Sequence, residues 1–192
     1  MNSRTNCTRE QAIAEFTDLN DRFASLAQGR TPEQLLWRPD GGKSWCIAEC
    51  VEHVALANRA YLSNIQPVIS GAAAGDSASD SLHVGGWLSG LLLRSVSPEA
   101  PRKLKAPRKI RPLSVNVNEA FSKLAATHKD VISILELNPR PDFNRLRFQN
   151  PFVPLIRFTV ASGILIMAAH AQRHLLQAER ISTTAGFPGL AA

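Results

Sequence analysis

Apolar residues recur along the chain at helical spacing. After Thr8, the positions Ile13, Phe16, Leu19, Phe23 and Leu26 advance by steps of three or four, the period of an amphipathic helix face. Thr8-Arg9-Glu10-Gln11 has the form of a capping box and Gly29 supplies a stop, so a first helix lies between them. Thr31-Pro32-Glu33-Gln34 opens a short helical turn with proline at its first position. A second helix follows "GGKSW": Ile47, Val51, Val54, Tyr61 and Ile65 form its stripe, and Pro67 and Gly71 are expected to close it. A third runs near Val115–Leu137. Its seam is Val117, Phe121, Leu124, His128, Val131 and Leu135, and Asn138-Pro139 is expected to end it. The proline-punctuated connection "NPRPDFNRLRFQNPFVP" leads to a fourth helix at about Phe158–Ile181.

The stretch between the second and third helices breaks the pattern. Residues 71–113 open with "GAAAGDSASD", pass through the apolar patch "GGWLSGLLL" and end in a basic, proline-rich segment. That is long for a connection in a compact domain, and Trp87–Leu93 is read as a short helix lying across the others. No set of strands and no internal repeat is apparent. The pattern predicts an all-α fold: one domain over residues 1–192, a four-helix bundle with long crossover connections and a basic insertion at about 71–113.

Composition narrows the functional classes. A hydrophobic fraction of 44% and a charged fraction of 20% predict a globular, soluble chain. The start "MNSRTNCTRE" has no apolar segment of the secretory kind, and the longest apolar run, around Phe158–Ala169, is short of the roughly 20 residues that span a bilayer. Three cysteines, Cys7, Cys46 and Cys50, are odd in number and not at disulfide-framework spacing, which fits a reducing cytoplasm. Seven basic residues and one acid, Glu99, fall between Arg94 and Pro112, so this segment holds the whole net charge of +6. It carries four prolines, and no aromatic residue is interleaved with its charges. It is read as a solvated loop, and nucleic acid is not the expected partner.

The candidate chemistry lies in the histidines. In "MAAHAQRHLLQAER" His170 and His174 are four residues apart, within about 40° of each other around a helix. Gly163, Ile166, Met167, Gln177 and Ile181 fall on the same side, so the pair points into the bundle. Two buried imidazoles need partners: a metal ion satisfies both, and so do hydrogen bonds to carboxylates or water. Position 171 is not Glu, so the metalloprotease form of the motif is absent. His53 borders the stripe of the second helix. Cys46, Cys50 and His53 fall within about 60° of one another there, which permits a rival sulfur-containing site or a sulfur added to the histidines. His128 holds a seam position, where it is an extra ligand, a hydrogen-bond partner or a core histidine, and nothing argues for His83.

"LLWRPDGGKSWCIAECVEHVALANRAYL" (35–62), with Trp45, Glu49 and His53, resembles the conserved region of the DinB/YfiT-like superfamily. "HAQRHLLQAERI" (170–181), with His170, His174 and Gln177, resembles that family's last helix, and "NPFVPLIRFTV" (150–160) the linker before it. The family commonly has Ser or Thr after the Trp as helix cap. Here the residue is Cys46, a poor cap, and Ser44 is the expected substitute. The resemblance implies a four-helix bundle of unusual handedness with one divalent metal, zinc or nickel, on His53, His170 and His174. It also makes a homodimer an expectation, with Trp87 and Leu91–Leu93 as roof of the site or dimer contact.

Three neutral ligands leave the ion's full charge and an open position, the arrangement of catalytic sites. Two enzyme classes follow, each acting on a small-molecule substrate. In one, the metal binds a low-molecular-weight thiol and presents its thiolate to a small electrophile, as in thiol-dependent relatives. In the other, metal-bound hydroxide makes the chain a hydrolase, which wants a general base. Glu49 is the candidate base if it reaches in. Otherwise it orients His53 or faces solvent. A metal- or ligand-binding module without catalysis is the third class. Gln177 either bonds a ligand or caps the helix end, Asn58 either bridges helices or lines a pocket, and Trp45 and Tyr61 are read as packing residues.

Overall fold

A computed structural model describes residues 5–72, 79–100, 105–137, 141–153 and 155–189. Four long helices form the body: α1 (Arg9–Ala27), α3 (Ile47–Ser70), α5 (Val117–Leu135) and α6 (Val160–Ile181). Two shorter ones, α2 (Pro32–Leu36) and α4 (Trp87–Val96), lie in the connections. Both α1 and α3 pack on α5 and on α6, so α1 and α3 face each other across the diagonal of the bundle. The long connection from α3 to α5 carries α4 across onto α6.

The helix starts follow local chemistry. Thr8 and Gln11 cap α1 reciprocally, as do Thr31 and Gln34 for α2. Gly29, just past α1, takes φ +71°, a conformation that costs glycine no side-chain clash. The start of α3 differs from expectation. Cys46 is the cap, its Sγ accepting from the Glu49 N–H at 3.4 Å while a Glu49 carboxylate oxygen accepts from the Cys46 N–H at 2.9 Å. Sulfur is a weak acceptor, and the charged half of the box compensates for it. Ser44 instead donates to Asp40. Nor does Pro67 close α3, which continues to Ser70 with Gly71 as cap. In the last turn, proline leaves only the exposed Ser63 carbonyl without its helical partner.

α4 appears where Trp87–Leu93 was read as helical and extends to Val96. The α5 seam is buried at Leu124, His128, Val131 and Leu135 and half-buried at Val117 and Phe121. The expected stop at Asn138-Pro139 lies outside the described residues. Two short antiparallel ribbons were not foreseen: β1 (Asn6–Thr8) pairs with β2 (Ser81–His83), and β3 (Arg147–Gln149) with β4 (Arg157–Thr159). Three-residue strands are too short to show a period of two. β4 shifts the start of α6 to Val160, with Thr159 as its cap. Each ribbon turns one apolar residue inward on each strand, Cys7 with Leu82 and Phe148 with Phe158.

The core has two parts. One gathers Phe16, Tyr61, Ile65, Phe143 and Phe148 around the first half of α6. The other gathers Leu19, Phe23, Val51, Val54 and Leu124 around its second half. Close approach is tightest at Gly163, where an added Cβ would sit 2.8 Å from the Phe148 ring. Ile65 of α3 lies 3.2 Å from the same position, so α6 also packs closely on α3 there.

Candidate metal centre

Three histidines meet at the α3–α6 contact. His53 is on the second turn of α3, and the helical repeat brings His170 and His174 to one face of α6. One ligand-capable atom from each lies within 4.8 Å of the others, and the Nε2 atoms of His53 and His170 are 3.1 Å apart. The ring centroids are 4.7–4.9 Å apart in pairs, at steep angles. His53 and His174 are buried, and His170 is partly exposed.

Hydrogen bonds fix the proton positions on two rings. His53 Nδ1 lies 2.7 Å from the Ile110 carbonyl oxygen, which only accepts, so Nδ1 carries the proton and Nε2 a lone pair. His174 Nδ1 donates to Gln177 Oε1 at 3.0 Å, leaving the same arrangement. Burial holds all three imidazoles neutral. It lowers the His53 pKa against the Ile110 bond that raises it. For His170 the pKa falls well below the usual value through burial and then through the neighbouring His174, His53 and Arg173. For His174, burial and then His53 take it to about 3.

Neutral rings with converging lone pairs are the donor set a divalent ion takes. Zinc–nitrogen bonds near 2.0–2.1 Å set adjacent tetrahedral ligands about 3.3 Å apart, close to the His53–His170 separation. The residues therefore fit the metal that the resemblance implies.

The indole of Trp45 lies against His53 and His174, with centroids 4.8 and 6.0 Å away. The three histidines form part of the wall of a cavity of about 1150 Å³, which Trp45, Tyr61 and Gln177 also line. Trp45 and Tyr61, read as packing residues, thus also line the cavity.

The remaining candidates separate clearly. Glu49 does not reach the histidines: its carboxylate closes the α3 capping box and pairs with Arg38. It is buried, not solvent-facing. Cys50 lies in the apolar core, burial pushing its thiol far up, and neither it nor Cys46 joins the cluster, so the sulfur alternative is not formed. Asn58 does both things expected of it, donating to Thr127 Oγ1 at 3.2 Å and lining the cavity. His128 is a core residue apart from the cluster. Its ring packs edge-on against Phe16, both its nitrogens lack a hydrogen-bond partner among the described residues, and burial lowers its pKa to about 4. His83 is exposed on β2.

Sequence reasoning missed the contribution of the basic insertion. Arg108–Ile110 forms a 3-10 turn against α3, buries Ile110 and bonds His53 through its carbonyl. The signal was available: Ile110 is a lone apolar residue between Lys109 and Arg111. Leu92 and Val96 of α4 line the cavity and Leu93 is buried, whereas Trp87 and Leu91 face outward, 76% and 58% exposed. α4 therefore roofs the site with one face only.

The fold agrees with the outcome of comparison with known proteins. The family model of the DinB superfamily matches residues 15–178, and the chain belongs to that superfamily. Among solved structures it is similar to YfiT from Bacillus subtilis, described as a probable metal-dependent hydrolase with an unusual four-helix bundle topology. The TM-score is 0.53 at 13% identity, over 93% of this chain and 88% of that one, and the likeness shows the shared bundle fold. No curated protein matches the chain. Among the described residues no helix is long and apolar enough to cross a membrane.

Proposed function

We propose that the chain is a metal-dependent enzyme in which His53, His170 and His174 hold one divalent ion, zinc or nickel, and that it transfers a low-molecular-weight thiol to a small electrophile. The observation that carries this is three neutral imidazoles converging on the wall of a cavity whose described lining includes no carboxylate. An ion held by them supplies Lewis acidity that deprotonates a bound thiol or water near neutral pH. The Ile110 carbonyl and Gln177 hold two of the rings with their lone pairs turned inward. Trp45 covers the rings on one side, so substrates enter from the cavity.

Thiol transfer needs no protein base once the thiol is acidified, and the described lining offers no carboxylate. Glu49 is committed to Arg38 and the helix cap, and Glu52 pairs with Lys123 at 3.5 Å. Hydrolysis is the second reading, favoured by the description of YfiT. A cytoplasmic location, where thiols stay reduced, fits three buried cysteines that form no disulfide among the described residues.

The test is elemental analysis of the untagged protein beside His53→Ala and His170→Ala/His174→Ala. Near-stoichiometric zinc or nickel, lost in both variants, is expected. A parent that neither contains nor takes up either metal overturns the proposal. Conjugation of glutathione to 1-chloro-2,4-dinitrobenzene, with chloride leaving, is then compared with thiol-free hydrolysis of 4-nitrophenyl acetate. Metal-dependent conjugation supports transfer. Metal-dependent hydrolysis alone supports the second reading.

A further inference from the structure

The basic segment that holds the chain's net charge is divided by the fold. Arg108 and Lys109 are exposed and do not line the cavity, whereas Lys105 and Arg111, which flank them, do. Lys43, from the loop before α3, and Arg180, from the last turn of α6, line the same cavity. Four cationic residues from three distant parts of the sequence thus line one cavity. Among the described residues none of the four has an acidic partner, and the described lining contains no Asp or Glu. Arg173 also lines the cavity, but it donates to the Ser97 carbonyl at 2.6 Å and has a further partner, so it is left out of the count.

Like charges gathered without counter-charge raise the local potential and draw in an ion of opposite sign. The lining also includes the apolar side chains of Leu92, Val96, Phe152, Ile166 and Met167. At about 1150 Å³ the cavity suits a small molecule and not a polymer. We propose that the substrate is an amphipathic small-molecule anion, its carboxylate or phosphate held by Lys43, Lys105, Arg111 and Arg180 and its apolar body lying towards the three histidines. This names the substrate class of the site read above as a metal centre and rests on that reading only for what happens after binding. Lys105 and Arg111 belong to the same segment as Ile110, so the insertion that orients His53 also selects the substrate.

The test reads binding, not turnover. Quenching of tryptophan fluorescence, with Trp45 in the cavity wall, is titrated with 4-phenylbutyrate, phenyl phosphate and the neutral 4-phenylbutyramide. Each titration is made on the protein as purified and after removal of metal with a chelator. The expected result is saturable binding of at least one anion, about ten-fold or more tighter than the amide, with and without metal. The preferred anion identifies the acidic group. Lys43→Ala/Lys105→Ala/Arg180→Ala, at exposed positions, is expected to abolish the preference while leaving metal content and Tm unchanged. Arg111 also donates to the Ala106 carbonyl, so it is tested as Arg111→Lys, which keeps the charge and is expected to retain part of the preference. Equal affinity for anion and amide, no saturable anion binding below about 1 mM, or an undiminished preference in the triple variant overturns the proposal. Anion preference in a protein that binds no metal would leave this inference standing and remove the metalloenzyme reading.

Discussion

Gln177 offers the sharpest test of how the centre is held. His174 is 8% exposed, and its Nδ1–H donates to Gln177 Oε1 at 3.0 Å. In Gln177→Leu that buried N–H has no acceptor. A buried donor left unpaired costs about 1–3 kcal/mol, and every 1.4 kcal/mol is a factor of ten in an equilibrium constant. The ring recovers part of the loss by rotating, which turns Nε2 away from His53 and His170, or by changing tautomer, which puts the proton on Nε2 and removes its lone pair. The expected result is a loss of about 10–100-fold in zinc affinity, measured by competition with a chromophoric chelator at pH 7. Gln177→Glu replaces a neutral acceptor with a charged one and is expected to bind zinc more tightly than the parent. Because Gln177 is only half-buried, Tm should move little in either variant, which separates loss of the centre from loss of the fold. Equal zinc affinity in Gln177→Leu and the parent would refute the claim that this hydrogen bond orients a metal ligand.

Other predictions concern parts that the site does not use. Burial holds His128 neutral, with a pKa of about 4 against about 6.5 in the unfolded chain, so its contribution to stability is lost as pH falls from 6.5 towards 4. His128→Leu is expected to stabilise the protein by about 1–3 kcal/mol at pH 7 and by about 2 kcal/mol more at pH 5. Urea unfolding at the two pH values checks this, and an advantage that shrinks at pH 5 contradicts it. Cys50→Ser should leave metal content unchanged while lowering stability by about 1–3 kcal/mol, because a hydroxyl replaces sulfur in an apolar core; loss of metal would restore the sulfur site. Gly163→Ala gains about 1 kcal/mol of helix propensity and loses about 1–3 kcal/mol to overpacking against Phe148, so a lower Tm is expected, and a higher one would mean that the ring moves aside freely.

The sequence by itself determined the helices and two corners of the centre. Capping residues and a period of 3.6 are local, so α1, α2, α3, α5 and α6 were legible to within a few residues of their ends. The i, i+4 spacing of His170 and His174 is set by helix geometry alone. Only tertiary structure decided the rest. His53 joins the pair because α3 packs on α6, a contact between residues 117 positions apart that no local pattern encodes; its family motif, not its periodicity, pointed there. Glu49 and His53 are neighbours on α3, yet Arg38 and the Cys46 N–H hold one of them while Ile110 and His170 hold the other. His128, on its seam, was open to the centre or to the core, and it packs in the core beside Phe16 and Phe23. The basic segment read as a solvated loop because charge and proline describe only the chain's own preferences. Its placement against α3 follows from burying Ile110, and that single long-range contact turns Lys105 and Arg111 from surface charges into the wall of a cavity.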